Sequence, residues 1–429
     1  MDDREGNNEN DIIPCLSLKT AQKKGWDDME VEIEARIKKY RASEERLMPE
    51  TILAKIEGIW KPFQDATPDN PMNADKFLSA LNLDVLQDFF KGLYRRTPKY
   101  PAEAMLKAVL FMDLKKMKFF PELVRYFMSN PRAALALGFQ MEEGKVNIPS
   151  KQNLWHFCNI RLKEHWETVF TLMRDESVAT AKTLGLRLGE KTLEDAMPLQ
   201  SRPRDSEAEY NDHYKIKGYK VDSVTDQNHF VPLSVKVTSI NADEAKNLIP
   251  QLTALNRSEI RVEEHTIDGG YADYELIGWM GIHGIQGWYK IHTNWVYNTK
   301  GDEHYIRALY QHHWKDPGFK THASLSEILS FLFKKGYTEE VGAFYRNQTM
   351  IAYTQNAQEY LKRYHVRSRQ EGHHGYWKEH LALEDRLRTK GLERITRYVL
   401  RNFCSILAVV LCRLQHHCKD NLTSIAYLT

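Results

Sequence analysis

The chain has 429 residues, of which 42% are hydrophobic and 28% charged, and its formal net charge is +2. This balance excludes a fibrous, low-complexity or mostly disordered protein and leaves room for two or more folding units. Five cysteines without framework spacing (Cys15, Cys158, Cys404, Cys412 and Cys418) exclude a disulfide scaffold and point to reduced thiols. No secretory signal opens the chain, and its longest apolar run, FCSILAVVLC (403–412), is about half of what a bilayer requires. A soluble cytoplasmic protein without a membrane span is therefore expected.

Taken in chain order, residues 1–26 read as a disordered acidic tail opening on MDDREGNNEN, and 27–182 as almost wholly helical. MLKAVLFMDLKKM (105–117) and FFPELVRYFMSNP (119–131) repeat apolar residues at three- and four-residue spacing. Pro149 and Ser150 give a helix-start signal. These helices suit either a helix-turn-helix DNA reader or a plain helical domain. The texture changes near 183. LRLGEKTLEDA (186–196), YKIKGYKVDSVTD (214–226) and HFVPLSVKVTS (229–239) alternate apolar and polar residues as strands do, with a turn at 226–228 making the last two a hairpin. A helix over 240–255, with Asn241 as its N-cap, leads to a short strand at 262–268, a helix at 270–281 and a strand at 285–292. This order predicts a mixed sheet covered on both faces within 183–292. Residues 293–345 are long for a loop and read as an inserted subdomain. From 346 to 429 helices return, broken near Gly372, Gly375 and Gly391.

The basic clusters LKRYHVRSR (361–369) and RLRTKGLERITR (386–397) fit a face that meets a polyanion, or solvated helix surfaces. Within YHVRSRQEGHHGYWK (364–378), a continuous α-helix would gather Tyr364, Arg367, Glu371 and Lys378 into an arc of roughly 60°. Glycines at 372 and 375 weaken such a helix and suggest close approach of a backbone or ligand. Asp268 ends a predicted strand before two glycines, at the sheet edge where open α/β folds build their sites; as a bland alternative it is a turn aspartate. Asp195 follows another alternating stretch. Two strand-borne aspartates with Glu371 from a late helix form an oxygen-only set suited to Mg²⁺ or Mn²⁺ rather than zinc. Cys412, His416, His417 and Cys418 lack the paired ligand sets of a zinc site.

The spacing Tyr364-x2-Arg367-x3-Glu371-x6-Lys378 resembles the Y-(2)-R-(3)-E-(6)-K signature of DDE transposases from bacterial and archaeal insertion sequences. EDAMPLQS (194–201), HYKIKGYKVDSVTD (213–226), HTIDGGYADYE (265–275) and the helical stretch 106–131 are similar to blocks of the same family, which the chain resembles from about 90 to 425. The resemblance implies a ribonuclease H-like core with a catalytic triad of Asp195, Asp268 and Glu371 holding two Mg²⁺ or Mn²⁺ ions. Its partners would be double-stranded DNA, both element terminal inverted repeats and target, with a homodimer in the DNA complex. Arg367, Lys378 and Tyr364 would contact the DNA backbone, and Trp288 or Trp295 a flipped base, unless these tryptophans are core. A β-rich insertion before Glu371 would fit the 293–345 stretch. Met197 departs from the threonine usual in the first block, which leaves Asp205 and Asp222 as rivals for the first carboxylate. A nuclease of the same fold or an inactive DNA-binding derivative are the alternative readings.

Overall fold

A computed structural model describes residues 73–292, 295–381, 383, 387, 389–425 and 428, all within one compact unit spanning Ala66–Thr429. The expected acidic tail 1–26, and 27–72 of the expected helical region, lie outside the described residues. Six strands form the central sheet: β1 (Lys191–Gln200), β2 (Glu209–Asn211), β3 (Ile216–Asp226), β4 (Pro232–Ser239), β5 (Glu264–Thr266) and β6 (Gln286–Trp288). Their order is β2-β3-β1-β5-β6, with β4 also paired to β3. β3 runs antiparallel to β1, β2 and β4, whereas β5 is parallel to β1, and β6 to β5. The mixed α/β sheet read from alternation is present, consistent with a ribonuclease H-like core.

Local chemistry accounts for its edges. Asp226 closes the predicted hairpin turn, its buried Oδ2 accepting the backbone N–H of Asn228 (3.0 Å) and of His229 (2.8 Å). Helix α3 (Glu244–Arg257) starts four residues later than predicted: Asp243, not Asn241, is its N-cap and accepts from Lys246 N at 3.4 Å. Asn241 is drawn away because its side-chain amide donates to Glu209 Oε2 and to the Tyr210 carbonyl, tying it to β2.

Among the helices ahead of the sheet, Lys151–His156 begins at the predicted Ser150, which forms a reciprocal capping pair with Asn153. Two longer ones, α1 (Ala102–Leu114) and α2 (Trp166–Thr183), pack on the C-terminal helix. Beyond β5 comes α4 (Tyr274–Ile282). The 293–345 segment does not fold as a β-rich insertion. Its described residues make the helices α5 (Glu303–Gln311) and α6 (Leu325–Lys334) and the start of α7 (Thr338–Gln355). They share one apolar cluster that includes Ile306, Tyr310, Ile328, Leu332 and Val341. α7 crosses α4 so closely that a Cβ on Gly342 would collide with the Tyr274 carbonyl.

The last segment corrects two expectations. Tyr364 ends α8 (Ala357–Tyr364), His365–Arg367 form a 3₁₀ turn, and Glu371 and Lys378 belong to α9 (Ser368–His380). The four residues therefore do not share one continuous α-helix. α9 also runs unbroken through Gly372 and Gly375, and no atom approaches within 4 Å of where their Cβ atoms would stand, so no close approach explains them. Gly391 does mark a break. At φ 84° it precedes α10 (Leu392–Gln415), whose first N–H groups meet Asp205 and Glu207.

α10 is long and apolar enough to cross a membrane by length and composition, yet it is mostly buried and serves as the core helix. It packs on α2, on α1 and on β4, so it joins the helical part to the sheet. Arg401 of α10 grips the buried Asp113 of α1 with two bonds, Nε to Oδ2 at 2.8 Å and Nη2 to Oδ1 at 2.6 Å. Removing one partner strands the other charge in the core. Asp113→Ala is expected to lower unfolding stability by about 3–5 kcal/mol. In urea unfolding, a loss no larger than a surface substitution gives, about 0.5 kcal/mol, would refute this.

Candidate active site

Alternation along β1 sends Asp195 to one face of the sheet and Glu194 to the other. The Asp195 face is covered by α9, docked through polar contacts: Thr225 Oγ1 donates to Gln370 Oε1 (2.7 Å), and His374 Nε2 meets Ser223 Oγ (3.1 Å) and the Gln370 amide (3.1 Å). Docking at Gln370 and His374 leaves Glu371, between them in sequence, at the rim. Asp268 lies two residues past β5, its Oδ1 accepting the Gly269 N–H at 2.7 Å and the Tyr364 hydroxyl at 3.5 Å.

Arg367 joins these elements. Its Nη1 is 3.5 Å from Asp195 Oδ1, and its Nη2 is 3.9 Å from Asp268 Oδ1 and 3.1 Å from Glu371 Oε1. One guanidinium thus gathers the three carboxylates singled out in the sequence. The rivals for the first position lie elsewhere. Asp205 accepts from the Tyr219 hydroxyl (3.1 Å) and from Gly391 N (3.2 Å), a capping role. Asp222 pairs with Ala196 of β1, so it shares the Glu194 face, where Asn247 and Thr238 donate to it.

Burial pushes the Asp195 carboxyl up to about 6; Arg367 opposes the shift, while Glu371 and Asp268 add to it. His374, which the sequence reading missed, stands with Nδ1 3.6 Å from Asp195 Oδ2. Burial lowers it to about 3, so it is neutral at physiological pH. With Nε2 taking the Gln370 amide hydrogen, the ring proton sits on Nδ1, toward Asp195. Behind Asp195, Glu194 is wholly buried with both carboxylate oxygens unpartnered, and burial raises its proton affinity strongly. A glutamate beside the candidate aspartate is visible in the sequence, but its burial is not.

The remaining candidates separate. Trp288 donates from Nε1 to Glu264 Oε2 (2.9 Å) beneath the Arg363 guanidinium. Trp295 is half-buried between Arg346 and His292, and a Cβ on Gly269 would stand 3.0 Å from His292 Nε2, so Trp295 is near the Asp268 loop. Lys378 lies one turn beyond His374 and disfavours its protonation.

Among the described residues no three His, Cys, Asp or Glu side chains cluster closely enough to hold a metal ion, since a guanidinium stands between these carboxylates. The donor chemistry fits a hard divalent cation all the same: three carboxylates face one positive charge. The Cys412–Cys418 segment forms no such cluster either, Cys412 donating instead to the Phe77 carbonyl.

A family model described as Transposase DDE domain matches residues 189–408, about half of the chain, and this span carries Asp195, Asp268, Arg367 and Glu371. No curated protein and no solved structure matches the chain.

A carboxyl with a folded-state pKa above its unfolded value favours folding at low pH, and that stability is lost as pH rises through the folded value. For Asp195 the window runs from the ordinary aspartate value of 3.8 to about 6. Asp195→Asn is therefore expected to stabilise the metal-free protein by about 2–3 kcal/mol at about pH 8, with no gain at about pH 4. Thermal unfolding at both pH values tests this; a loss of stability at the higher pH means that the pairing with Arg367 outweighs burial.

Proposed function

Since this chain belongs to the DDE transposases, we propose that it cleaves double-stranded DNA at insertion-sequence ends and joins the freed 3′-OH to target DNA, using Asp195, Asp268 and Glu371. The observation that carries the reading is the reach of Arg367 to all three carboxylates, which come from β1, from the loop after β5 and from α9. The strand order supports a ribonuclease H-like core. Tyr364, Arg367, Glu371 and Lys378 support the class with the Y-(2)-R-(3)-E-(6)-K spacing.

The three carboxylates would hold two Mg²⁺ or Mn²⁺ ions, which when bound lower the pKa of the attacking hydroxyl and stabilise the leaving oxygen. Arg367 holds the carboxylates together and would offer its planar fork to a phosphate beside the cut. Tyr364, already hydrogen-bonded to Asp268, contacts the same backbone, with Lys378 further along α9. Neutral His374 fixes the Asp195 carboxylate without adding a charge that would compete for it. Trp295 is better placed than Trp288 to stack on a flipped base, since the Trp288 indole N–H is committed to Glu264. The complex is a homodimer pairing two terminal inverted repeats.

The test is Mg²⁺-dependent cleavage of a duplex carrying the flanking end sequence, with a target plasmid present. Wild type is expected to yield 3′-OH ends and joined product, and Glu371→Gln to lose both by at least roughly a thousandfold while still binding the duplex. Cutting without end preference or joining would favour a nuclease of the same fold. Binding without cutting in Mg²⁺ or Mn²⁺ would sink the catalytic assignment.

A further inference from the structure

A second concentration of charge lies among the helices ahead of the sheet. The segment after the helix Gln87–Gly92 and the turn after the helix Lys151–His156 enclose a cavity of about 890 Å³. Arg95, Arg96, Lys99 and Arg161 line it, and its wall contains no aspartate or glutamate. All four side chains are exposed, and none forms an ion pair with a carboxylate among the described residues. Cations nearby behave otherwise: Lys91 pairs with Asp88, Lys107 with Glu103 and Lys163 with Glu164.

Two features hold Arg161 in place. The Arg161 guanidinium lies 5.1 Å from the Tyr94 ring centroid and donates from Nη1 to the Leu93 carbonyl at 3.4 Å. It is delivered there by a π-helical turn, Phe157–Arg161, closed by Leu162 N donating to the Phe157 carbonyl at 2.9 Å. Four cations gathered without a counter-charge repel one another, and an arriving polyanion relieves that repulsion. Three of them are arginines, whose planar forks match phosphate oxygens.

We propose that this basin binds the phosphate backbone of double-stranded DNA, apart from the carboxylate site. The inference rests on the reading that the protein acts on DNA, and adds a second contact that holds the duplex without reading its bases.

The experiment titrates salt against binding of a labelled mixed-sequence duplex, followed by fluorescence anisotropy. The proteins are wild type, the triple variant Arg95→Gln, Arg96→Gln, Lys99→Gln, and Arg161→Gln alone. Each lost phosphate contact flattens the slope of log K against log salt by roughly 0.9. The triple variant is expected to flatten it by roughly 2–3, and Arg161→Gln by about 1. Lys99→Arg, which keeps the charge, should retain the wild-type slope. Acylation of Lys99 in the wild type, read by mass spectrometry, gives a second measure free of folding effects: bound duplex should block it.

An unchanged slope with Lys99 still reactive under bound duplex overturns the proposal, leaving transposase activity unaffected. Blocking of Lys99 by inorganic pyrophosphate but not by duplex also overturns it, in favour of a small phosphate ligand. Loss of cleavage in Glu371→Gln with normal salt slopes separates the two readings from the other side.

Discussion

Three carboxylates brought within reach of one another repel, and in this fold a single guanidinium makes their convergence tolerable. Arg367 stands within 4 Å of Asp195, Asp268 and Glu371, which lie on separate elements of the sheet and its covering helix. The 3₁₀ turn His365–Arg367 between α8 and α9 sets where it sits. One positive charge does not neutralise three negative ones, so the arrangement keeps an excess of negative charge for cations. Like-charge strain and cation affinity are the same property of the site seen from two sides.

The sheet that carries this strain is acidic on both faces. Asp195 looks toward α9, while Glu194 and Asp222 look toward α3, buried, Glu194 with both carboxylate oxygens unpartnered and Asp222 with one. Native folds keep such groups rarely, since each costs about 1–3 kcal/mol. The α9 side offsets the cost with a polar seam of Thr225, Gln370, Ser223 and His374 that fixes the helix against β3. That seam is why Glu371 has a defined position although α9 carries two glycines.

Much of this was legible in the chain. Alternation marked the strands, the Asp-Gly-Gly stretch marked a sheet edge, and the spacing from Tyr364 to Lys378 singled out Glu371, which meets Arg367, and Lys378, which lies further along α9. What stayed hidden depends on distance along the chain. Helical projection missed the 3₁₀ turn because nothing in YHVRS signals a change of period. Asn241 lost the cap to Asp243 through contacts with β2, some 30 residues away. His374 gains its place from Ser223, 151 positions earlier, and no local pattern carries that pairing. The 293–345 stretch, rich in aromatics, yielded helices because its apolar residues close around one another rather than onto a sheet.

The pairing of Asp113 with Arg401 has a consequence for biosynthesis. These residues are 288 positions apart, so during translation α1 emerges with a buried-type aspartate whose counter-ion does not yet exist. At ordinary elongation rates the wait lasts roughly 15 to 60 seconds. Through that interval the helical part lacks the rod that joins it to the sheet, and the carboxylates on β1 and after β5 lack α9. The set of carboxylates that Arg367 gathers is therefore completed only after α9 has been made.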